Sequence, residues 1–235
     1  LDLREELLRF YAGLRTVAAG RPVRWVACGY SPITALDAIS WVPKSRYAVM
    51  RAYLPQRGSL AHHMMKATCA VQANYDYADE LDCARKVQAV ARIAPLVTAI
   101  FANSPLRQGR ETGFQSYRAH IWTRTDPDRC GIPQWLVGDY SHERWLDYLL
   151  QVPMMFVRIA GEHLPAHGRT FGEFMERGFD GHHPTMEDWE LHQTSVFPEL
   201  RVKHTLEVRG IDCVQPPLAL GACALYTGLL YDDGA

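Results

Sequence analysis

The stretch from Arg201 to Asp212, RVKHTLEVRGID, constrains this chain more than any other part of it. It reads as one short strand, in which successive side chains point to opposite faces. One face then carries four polar side chains, those of Lys203, Thr205, Glu207 and Arg209. Burying such a set is unfavourable without a polyanionic or metal partner. Two interpretations stay open: a site for a divalent metal and phosphate, or a solvated outer face.

A second predicted strand, Ala67–Asp76 or ATCAVQANYD, has an unusual polar face. Its alternate residues are Thr68, Ala70, Gln72, Asn74 and Asp76. This face is uncharged until its last residue, whereas a solvated face more often carries Lys, Glu or Arg. The pattern is compatible with a ligand-binding surface or with a mixed outer face.

Composition limits the class of protein. The chain has 235 residues, 48% of them hydrophobic, and a formal net charge of -1, which is enough for a core in one domain or two small ones. Dispersed Lys and Arg argue against nucleic acid or a membrane surface as the main partner. No apolar run reaches the length of about 18 residues that a membrane span needs.

A helical pattern starts at once after Leu1, with no visible targeting segment, so we expect a piece of a longer protein. The cysteines lack C-x-x-C spacing, which favours free thiols in a reducing cytoplasm.

Periodicity and capping signals place the other elements. A strand is predicted over 24–28 and a buried strand or wall over 153–157. The predicted helices cover 3–17, 45–53, 79–102, 141–152, 170–177, a segment beginning at 185, and 218–231. Pro95 is expected to bend or split the third of these.

Sequence signals for nucleotide binding are absent in their common forms. No G-x-x-x-x-G-K-[ST] loop is present, so any ATP site must use another cradle. Arg118 follows a Gly-containing loop and suits bidentate capture of a carboxylate or phosphate. Pairing with a nearby acid at the surface is the alternative.

Several blocks in order along nearly the whole chain resemble the plant-type glutamate–cysteine ligases, a branch shared with many bacteria. The blocks are RYAVMRAYLP (46–55), TCAVQAN (68–74), FANSP (101–105), RAHIW (118–122) with TDP (125–127), VPM (152–154), DWELH (188–192), FPELR (197–201) and LEVRGID (206–212).

The resemblance implies a glutamine-synthetase-like α+β fold, with a mainly antiparallel sheet forming a half-open funnel and helices packed behind it. Residues 1–235 would be a single catalytic domain, incomplete at both ends. The implied reaction joins the γ-carboxylate of glutamate to the amino group of cysteine through a γ-glutamyl phosphate. ATP is the co-substrate, and Mg²⁺ neutralises charge during phosphoryl transfer. The product, γ-glutamylcysteine, is the first intermediate towards glutathione.

The resemblance also assigns roles to particular residues. Glu207 and Gln72 would bind metal, Arg209 and Lys203 would bind the ATP phosphates, and Arg209 and Arg118 would be catalytic. Arg118 would grip the α-carboxylate of glutamate, while the two methionines and the phenylalanine after Pro153 would form the wall of the cysteine subsite. The substrate-binding set is Arg118, Thr68, Asn74, Met154, Met155, Phe156, Trp122 and Arg51.

The chain departs from the family pattern at its start. The family's first strand carries glutamates in a G-x-E-x-E pattern, and another glutamate precedes its first long helix; none of them is present here. Because Glu207 alone cannot hold several magnesium ions, we expect this chain alone to be inactive and the full-length protein to be active.

Other readings remain beside this one. The alternatives are another carboxylate–amine ligase on the same fold, a non-catalytic amino-acid or metal-binding module, and a structural protein without a site. We expect glutamate, cysteine and ATP as partners, with neither nucleic acid nor membrane. The expected location is the cytoplasm, or the plastid for a plant source.

Overall fold

The structure, a computed structural model, describes residues 2–232. Its helices are α1 (Leu3–Ala18), α2 (Ser45–Tyr53), α3 (Ala61–Ala67), α4 (Glu80–Ile100), α5 (Tyr117–Trp122), α6 (Trp135–Gly138), α7 (His142–Gln151), α8 (Phe171–Arg177), α9 (Met186–Gln193) and α10 (Pro216–Tyr231). Its strands are β1 (Ala70–Tyr75), β2 (Leu106–Arg107), β3 (Arg110–Glu111), β4 (Cys130–Gly131), β5 (Phe156–Ile159), β6 (Glu162–Pro165), β7 (Phe197–Pro198), β8 (Leu200–Val202) and β9 (Leu206–Asp212). The domain was predicted over residues 1–235. Its two ends, residue 1 and residues 233–235, lie outside the described residues.

The principal sheet is antiparallel, with strand order β1–β9–β8. All seven residues of β9 are buried. The prediction of one strand over Arg201–Asp212 is wrong, because β8 and β9 form a hairpin around residues 203–205. The backbone N–H of Lys203 donates to the carbonyl of Thr205 at 3.0 Å and closes this turn. Folding back lets β8 and β9 both bury their apolar residues, while the polar Lys-His-Thr segment stays at the tip. Lys203 and Thr205 therefore do not alternate on a strand face.

A β-bulge interrupts the pairing of β1 with β9. Val71 is the partner of Ile211, but Ala73 is the partner of Val208. Gln72 alone therefore lies opposite two residues, Arg209 and Gly210. A bulge redirects side chains and leaves backbone groups without ladder partners, so this irregularity shapes the middle of the sheet.

Helices cover the apolar face of this sheet. α4 packs against β9, and α10 contacts α4 and β1. α4 begins where the Asp79 side chain accepts from the backbone N–H of Asp82 at 2.9 Å. It is continuous through Pro95, so that proline does not split it. The buried core contains Val87, Val90, Val97, Leu200, Leu206, Val208 and Tyr226 among others.

The remaining element predictions are mostly confirmed. The seven predicted helices correspond to α1, α2, α4, α7, α8, α9 and α10. The predicted buried segment 153–157 is confirmed for Met154–Val157, with Pro153 partly buried and β5 beginning at Phe156. The predicted strand over 24–28 is wrong, because this segment has no regular secondary structure. It lies beside α1, where the indole N–H of Trp25 donates to the carbonyl of Leu14 at 3.0 Å.

The smaller sheets complete the architecture. β2–β3 and β5–β6 pair antiparallel, and β4–β7 pair parallel. The α+β class with mainly antiparallel sheets is thus confirmed. Across residues 2–232, none of the helices has the length and apolar character needed to cross a membrane. The cysteines carry free thiols as predicted.

Candidate functional site

The two polar strand faces predicted from the sequence form one surface. Asn74 on β1 is the register partner of Glu207 on β9, and directly opposed residues of a sheet point to the same side. Gln72 lies beside Arg209 at the bulge on this side. Gln72 and Asn74 are exposed, whereas Glu207 and Arg209 are each 9% exposed. The surface therefore has a solvated side along β1 and a closed, charged side along β9.

Two arginines hold Glu207. The Nε and Nη2 atoms of Arg201 donate to Oε2 of Glu207 at 2.9 and 2.7 Å, and Nη1 of Arg209 donates to Oε1 at 2.7 Å. Burial alone would raise the pKa of Glu207, but the charges of Arg209 and Arg201 outweigh it and hold that pKa below its usual range. We name these three residues the arginine–glutamate triad.

Arg201 is a member of the triad that the sequence did not reveal. It is the register partner of Glu207 across the β8–β9 hairpin. Reading residues 203–205 as a turn would have placed Arg201 opposite Glu207, so the signal was present but depended on recognising the hairpin.

The triad has the chemistry of an anion site. Two guanidinium groups and one carboxylate leave a net charge of +1, and Lys203 at the hairpin tip adds to it. Guanidinium groups bind carboxylate and phosphate oxygens through paired donors. A low-dielectric setting strengthens such contacts, because water competes less for the charges.

The same residues do not fit a magnesium cage. Both oxygens of Glu207 accept from arginines, and the other predicted ligand, Gln72, offers an amide. Within residues 2–232, no group of three or more His, Cys, Asp or Glu side chains is arranged to hold a metal ion. Mg²⁺ prefers several oxygen ligands in octahedral geometry, so these residues alone do not form a magnesium site.

Arg118 is buried next to the bulge. It is 2% exposed, and its Nη2 and Nη1 donate to the carbonyls of Arg209 at 2.8 Å and Gly210 at 3.2 Å. Its Nη1 also lies 3.8 Å from Oδ1 of Asp212. The expectation that Arg118 grips the glutamate carboxylate stays a prediction; in this structure its terminal nitrogens donate to backbone carbonyls, and it supports the segment that presents Arg209.

Asp212, at the end of β9, ties two segments to the sheet through three donors. Its carboxylate accepts from the backbone N–H of Asn103 at 2.8 Å and from the hydroxyls of Ser104 at 2.7 Å and Ser116 at 3.0 Å. A Cβ added at Gly29 would overlap this carboxylate, so the close approach requires glycine there. Sequence reasoning placed no role on Asp212, since its partners come from distant segments.

Glu199 is a second carboxylate that the sequence did not single out. A Cβ added at Gly210 would overlap Oε2 of Glu199 and lie 3.0 Å from Oγ1 of Thr98. Burial raises the pKa of Glu199, against the opposing charges of Arg118 and Arg209. The bulge thus leaves room for a carboxylate on the helix side of the sheet.

Three predicted side chains lie around the edges of the site. Lys203 borders a cavity of about 320 Å³ that Tyr77, Trp145 and Trp189 also line. Burial lowers the pKa of Lys203, and the charge of Arg201 adds to this effect. The Asn74 side chain accepts from the hydroxyl of Thr205 at 3.2 Å, which joins β1 to the hairpin tip.

Three other predicted residues lie on the helices or next to one. Thr68, just after α3, donates its hydroxyl to the carbonyl of Met64 at 2.7 Å. The guanidinium of Arg51 lies 4.8 Å from the ring centre of Trp41. The indole nitrogen of Trp122 is buried and has no hydrogen-bond partner among the described residues.

The predicted cysteine subsite is not a single wall. Met154 packs in one cluster with Phe171 and Phe174, whereas Met155 and Phe156 pack in another with α2. Met155 also lines a cavity of about 690 Å³. Side chains that alternate along this extended segment point to different layers, so these residues do not share one surface.

Comparison with known proteins gives a consistent result. The family model described as glutamate-cysteine ligase family 2 (GCS2) matches residues 2–235. The chain is 39% identical over 224 residues to the chloroplastic glutamate–cysteine ligase of Nicotiana tabacum, covering 94% of this chain and 43% of that protein. It is 40% identical to the chloroplastic glutamate–cysteine ligase B of Oryza sativa subsp. japonica, with 94% and 45% covered.

A third relative agrees in extent and similarity. The chloroplastic glutamate–cysteine ligase of Arabidopsis thaliana is 39% identical, with 94% of this chain and 43% of that protein covered. The chain spans less than half the length of each of these three relatives. Because the family model covers the chain from residue 2 to residue 235, this protein belongs to the glutamate-cysteine ligase family 2 (GCS2).

Proposed function

We propose that the intact protein containing this chain joins glutamate to cysteine at the expense of ATP. The γ-carboxylate of glutamate is phosphorylated, and the amino group of cysteine displaces the phosphate to give γ-glutamylcysteine. Family membership supports this reaction. The observation on the molecule that carries it is the arginine–glutamate triad, because phosphoryl transfer depends on fixed positive charge around the transferring group.

Within this proposal the triad binds phosphate oxygens. The guanidinium of Arg209 donates to Glu207, and Arg201 holds the other oxygen of Glu207 from across the hairpin. Glu207 fixes both arginines before substrate arrives, which lowers the ordering needed during binding. Lys203 adds charge at the edge, where it would meet the outer phosphates of ATP.

The remaining residues of the proposed site act on the substrates. Asn74 and Gln72 would line the exposed side of the sheet, with Thr68, Arg51 and Trp122 nearer the helices. Met155 is the member of the proposed cysteine wall that borders a cavity. Arg118 has a positioning role in this scheme, through the backbone of Arg209.

Magnesium enters only as an expectation from the family. The sequence-based expectation names Glu207 and Gln72, but the arginine pairing of Glu207 leaves these two residues without a magnesium cage. Mg²⁺ would neutralise phosphate charge when bound. Residues outside this chain would have to supply the other carboxylates. This proposal also includes a glutamine-synthetase-like fold, whose sheet forms a funnel and whose intact form binds metal. It includes the assignment of the whole chain to one catalytic domain.

The location and partners follow the same reasoning. The relatives named above are chloroplastic proteins, so a plastid is a reasonable location for a plant source and the cytoplasm for a bacterial one. Glutamate, cysteine and ATP are the proposed small-molecule partners, with neither nucleic acid nor a membrane.

The test is ADP release by the intact protein with ATP, magnesium and glutamate, with and without cysteine. The key variant is Arg209→Lys, which keeps the charge but loses the paired donors. We expect cysteine-dependent turnover in the unaltered protein and a fall of about 10²–10³ in kcat in the variant. Arg110→Lys, an exposed arginine on β3, is the matched control and should retain full turnover.

The other outcomes have distinct meanings. If the protein turns over with an amine other than cysteine, and Arg209→Lys abolishes that turnover, the phosphoryl-transfer mechanism stands and the amine substrate changes. Full turnover in Arg209→Lys would remove the triad from the phosphate site. No turnover with any amine would leave a binding module in place of an enzyme.

A further inference from the structure

A cavity lies beside the tip of the β8–β9 hairpin, between this tip and the helices α7 and α9. Its volume is about 320 Å³, at the lower end of the range of about 300–1,000 Å³ for small-molecule sites. We name it the hairpin-tip cavity. The proposed reaction gives a role to Lys203 at its border and to none of the other residues that line it.

The walls of the hairpin-tip cavity are largely aromatic. Tyr77, Trp145 and Trp189 line it together with Val202. Trp145 and Val202 are buried, whereas Tyr77 and Trp189 are partly exposed. Flat aromatic side chains that keep accessible surface are the groups on which nucleic-acid bases and other planar rings stack. The cavity therefore suits a planar ring better than a flexible polar chain.

Tyr77 is fixed between the hairpin tip and α7. Its hydroxyl donates to the carbonyl of Lys203, and its ring centre lies 6.0 Å from that of His142 at the start of α7. The wall that Tyr77 provides is thus in place before a ligand binds, which lowers the ordering that binding requires.

His142 gives the cavity a hydrogen-bonding group that the protein leaves unused. The backbone N–H of His142 donates to Oε1 of Glu80 at 2.7 Å and fixes the start of α7. Its Nε2 atom is buried and has no hydrogen-bond partner among the described residues. Buried polar atoms nearly always have a partner, so this nitrogen beside a cavity indicates a polar group of a ligand or a water molecule there. Gln193 also lines the cavity and offers an amide that both donates and accepts.

The hairpin-tip cavity adjoins the arginine–glutamate triad through Lys203. Burial lowers the pKa of Lys203, and the charges of Arg201 and of the other two triad members also act on it. Its ammonium group therefore lies close to the triad, while Lys203 also lines the cavity. A molecule whose ring occupies the cavity can extend anionic groups past Lys203 to the triad. A planar ring with polar nitrogens, joined to a chain of phosphates, is the chemistry of a nucleoside triphosphate.

We propose that the hairpin-tip cavity is the nucleobase subsite of this protein and takes a purine ring. The inference rests on the proposed function, in which Lys203 and the triad bind the phosphates of ATP. The purine lies against Tyr77 and Trp189, and a nitrogen of the purine forms the missing hydrogen bond with Nε2 of His142. Neutral imidazole donates or accepts at this atom according to its tautomer, so it can pair with a ring nitrogen or with an exocyclic amine.

The first test measures binding to the intact protein, in the presence of magnesium, by calorimetric titration with ADP and separately with inorganic tripolyphosphate. His142→Phe keeps a ring but removes Nε2, so it should weaken ADP binding about fivefold to tenfold, the effect of one hydrogen bond. It should leave tripolyphosphate binding unchanged, whereas Arg209→Lys should weaken the binding of both probes. His183→Phe alters an exposed histidine outside the cavity and is the matched control, which should bind both probes normally.

A stability measurement separates loss of the ligand contact from damage to the fold. Because Nε2 of His142 has no partner among the described residues, His142→Phe should not lower the urea midpoint of unfolding in the absence of ADP. Weaker ADP binding together with weaker tripolyphosphate binding and a lower urea midpoint would indicate a general defect and overturn the assignment of His142.

A photolabel locates the ring in the unaltered protein. Irradiation with 8-azido-ADP, followed by peptide mass analysis, should place the label on Tyr77 or within Met186–Gln193, and excess ADP should prevent it. Labelling elsewhere, or ADP binding that His142→Phe leaves unchanged, would overturn the proposal. Labelling in the cavity without ligase turnover would keep the subsite and refute the proposed reaction. Cysteine-dependent turnover with the label outside the cavity would do the reverse.

Discussion

Replacing Arg118 by methionine tests the supporting role that the structure gives to this residue. The substitution keeps much of the side-chain volume but removes two charged hydrogen bonds to the carbonyls of Arg209 and Gly210. A hydrogen bond to a charged group contributes about 1.5–3 kcal/mol, and removing one partner of a buried ion pair costs about 3–5 kcal/mol. Asp212 keeps three other donors, which limits the loss. We therefore expect the free energy of unfolding to fall by about 3–5 kcal/mol.

The measurement is urea unfolding of the intact protein, together with steady-state ADP release at varied glutamate. Loss of support for the Arg209 backbone should lower kcat, while KM for glutamate changes little. Arg118→Lys should recover part of both quantities, because an ammonium group keeps the charge and reaches one of the two carbonyls. The exposed Arg110→Met is the control and should shift stability by less than about 0.5 kcal/mol.

A direct substrate role for Arg118 would give the opposite pattern. If this arginine gripped glutamate, Arg118→Met would raise KM for glutamate by about tenfold or more. Stability would then change by less than about 1 kcal/mol, as for an exposed arginine pair. That pair of results would refute the positioning argument.

Two more predictions concern buried groups. His192 is buried, and burial is the main reason that its pKa is lowered to about 4. Protonation of His192 therefore favours the unfolded chain. The free energy of unfolding that is present above about pH 6.5 should fall by about 3 kcal/mol in total as the pH falls towards 4. Urea unfolding at several pH values should show this loss, and His192→Gln should flatten it. Gly29→Ala should destabilise more than Gly210→Ala, because the added Cβ at residue 29 overlaps three atoms of a carboxylate that three donors hold, whereas at residue 210 it overlaps only Oε2 of Glu199. Equal unfolding free energies for the two alanine variants would contradict this.

Local sequence signals predicted most elements but not the central hairpin. Helix limits followed from caps such as Ser141 and Thr170, whose side chains accept from the backbone in the first turn. The hairpin was missed because alternation continues through Lys203-His204-Thr205 as though the strand were unbroken. A strand pattern alone does not distinguish one long strand from two short ones joined at a polar tip.

The site was predicted in part, for a physical reason. Alternation correctly put Glu207 and Arg209 on one face, because this depends only on the strand period. The partner of Glu207 depends on hairpin register, and the direction of Arg118 depends on how α5 meets β9. Neither is encoded within a few neighbouring residues. The sequence therefore did not reveal that Arg118 is buried against the backbone of Arg209 and Gly210.

The bulge explains why these features occur together. The bulge places two residues of β9, Arg209 and Gly210, opposite Gln72, and buried carbonyls need donors. Arg118 donates to both carbonyls, and the hydroxyl of Thr98 also donates to that of Gly210. The same irregularity opens space that Glu199 fills on the helix side, provided residue 210 has no side chain. The position of Arg209 in the triad thus depends on groups on both sides of the sheet, so substitutions at Arg118 or Gly210 should alter phosphate binding without touching the ligand.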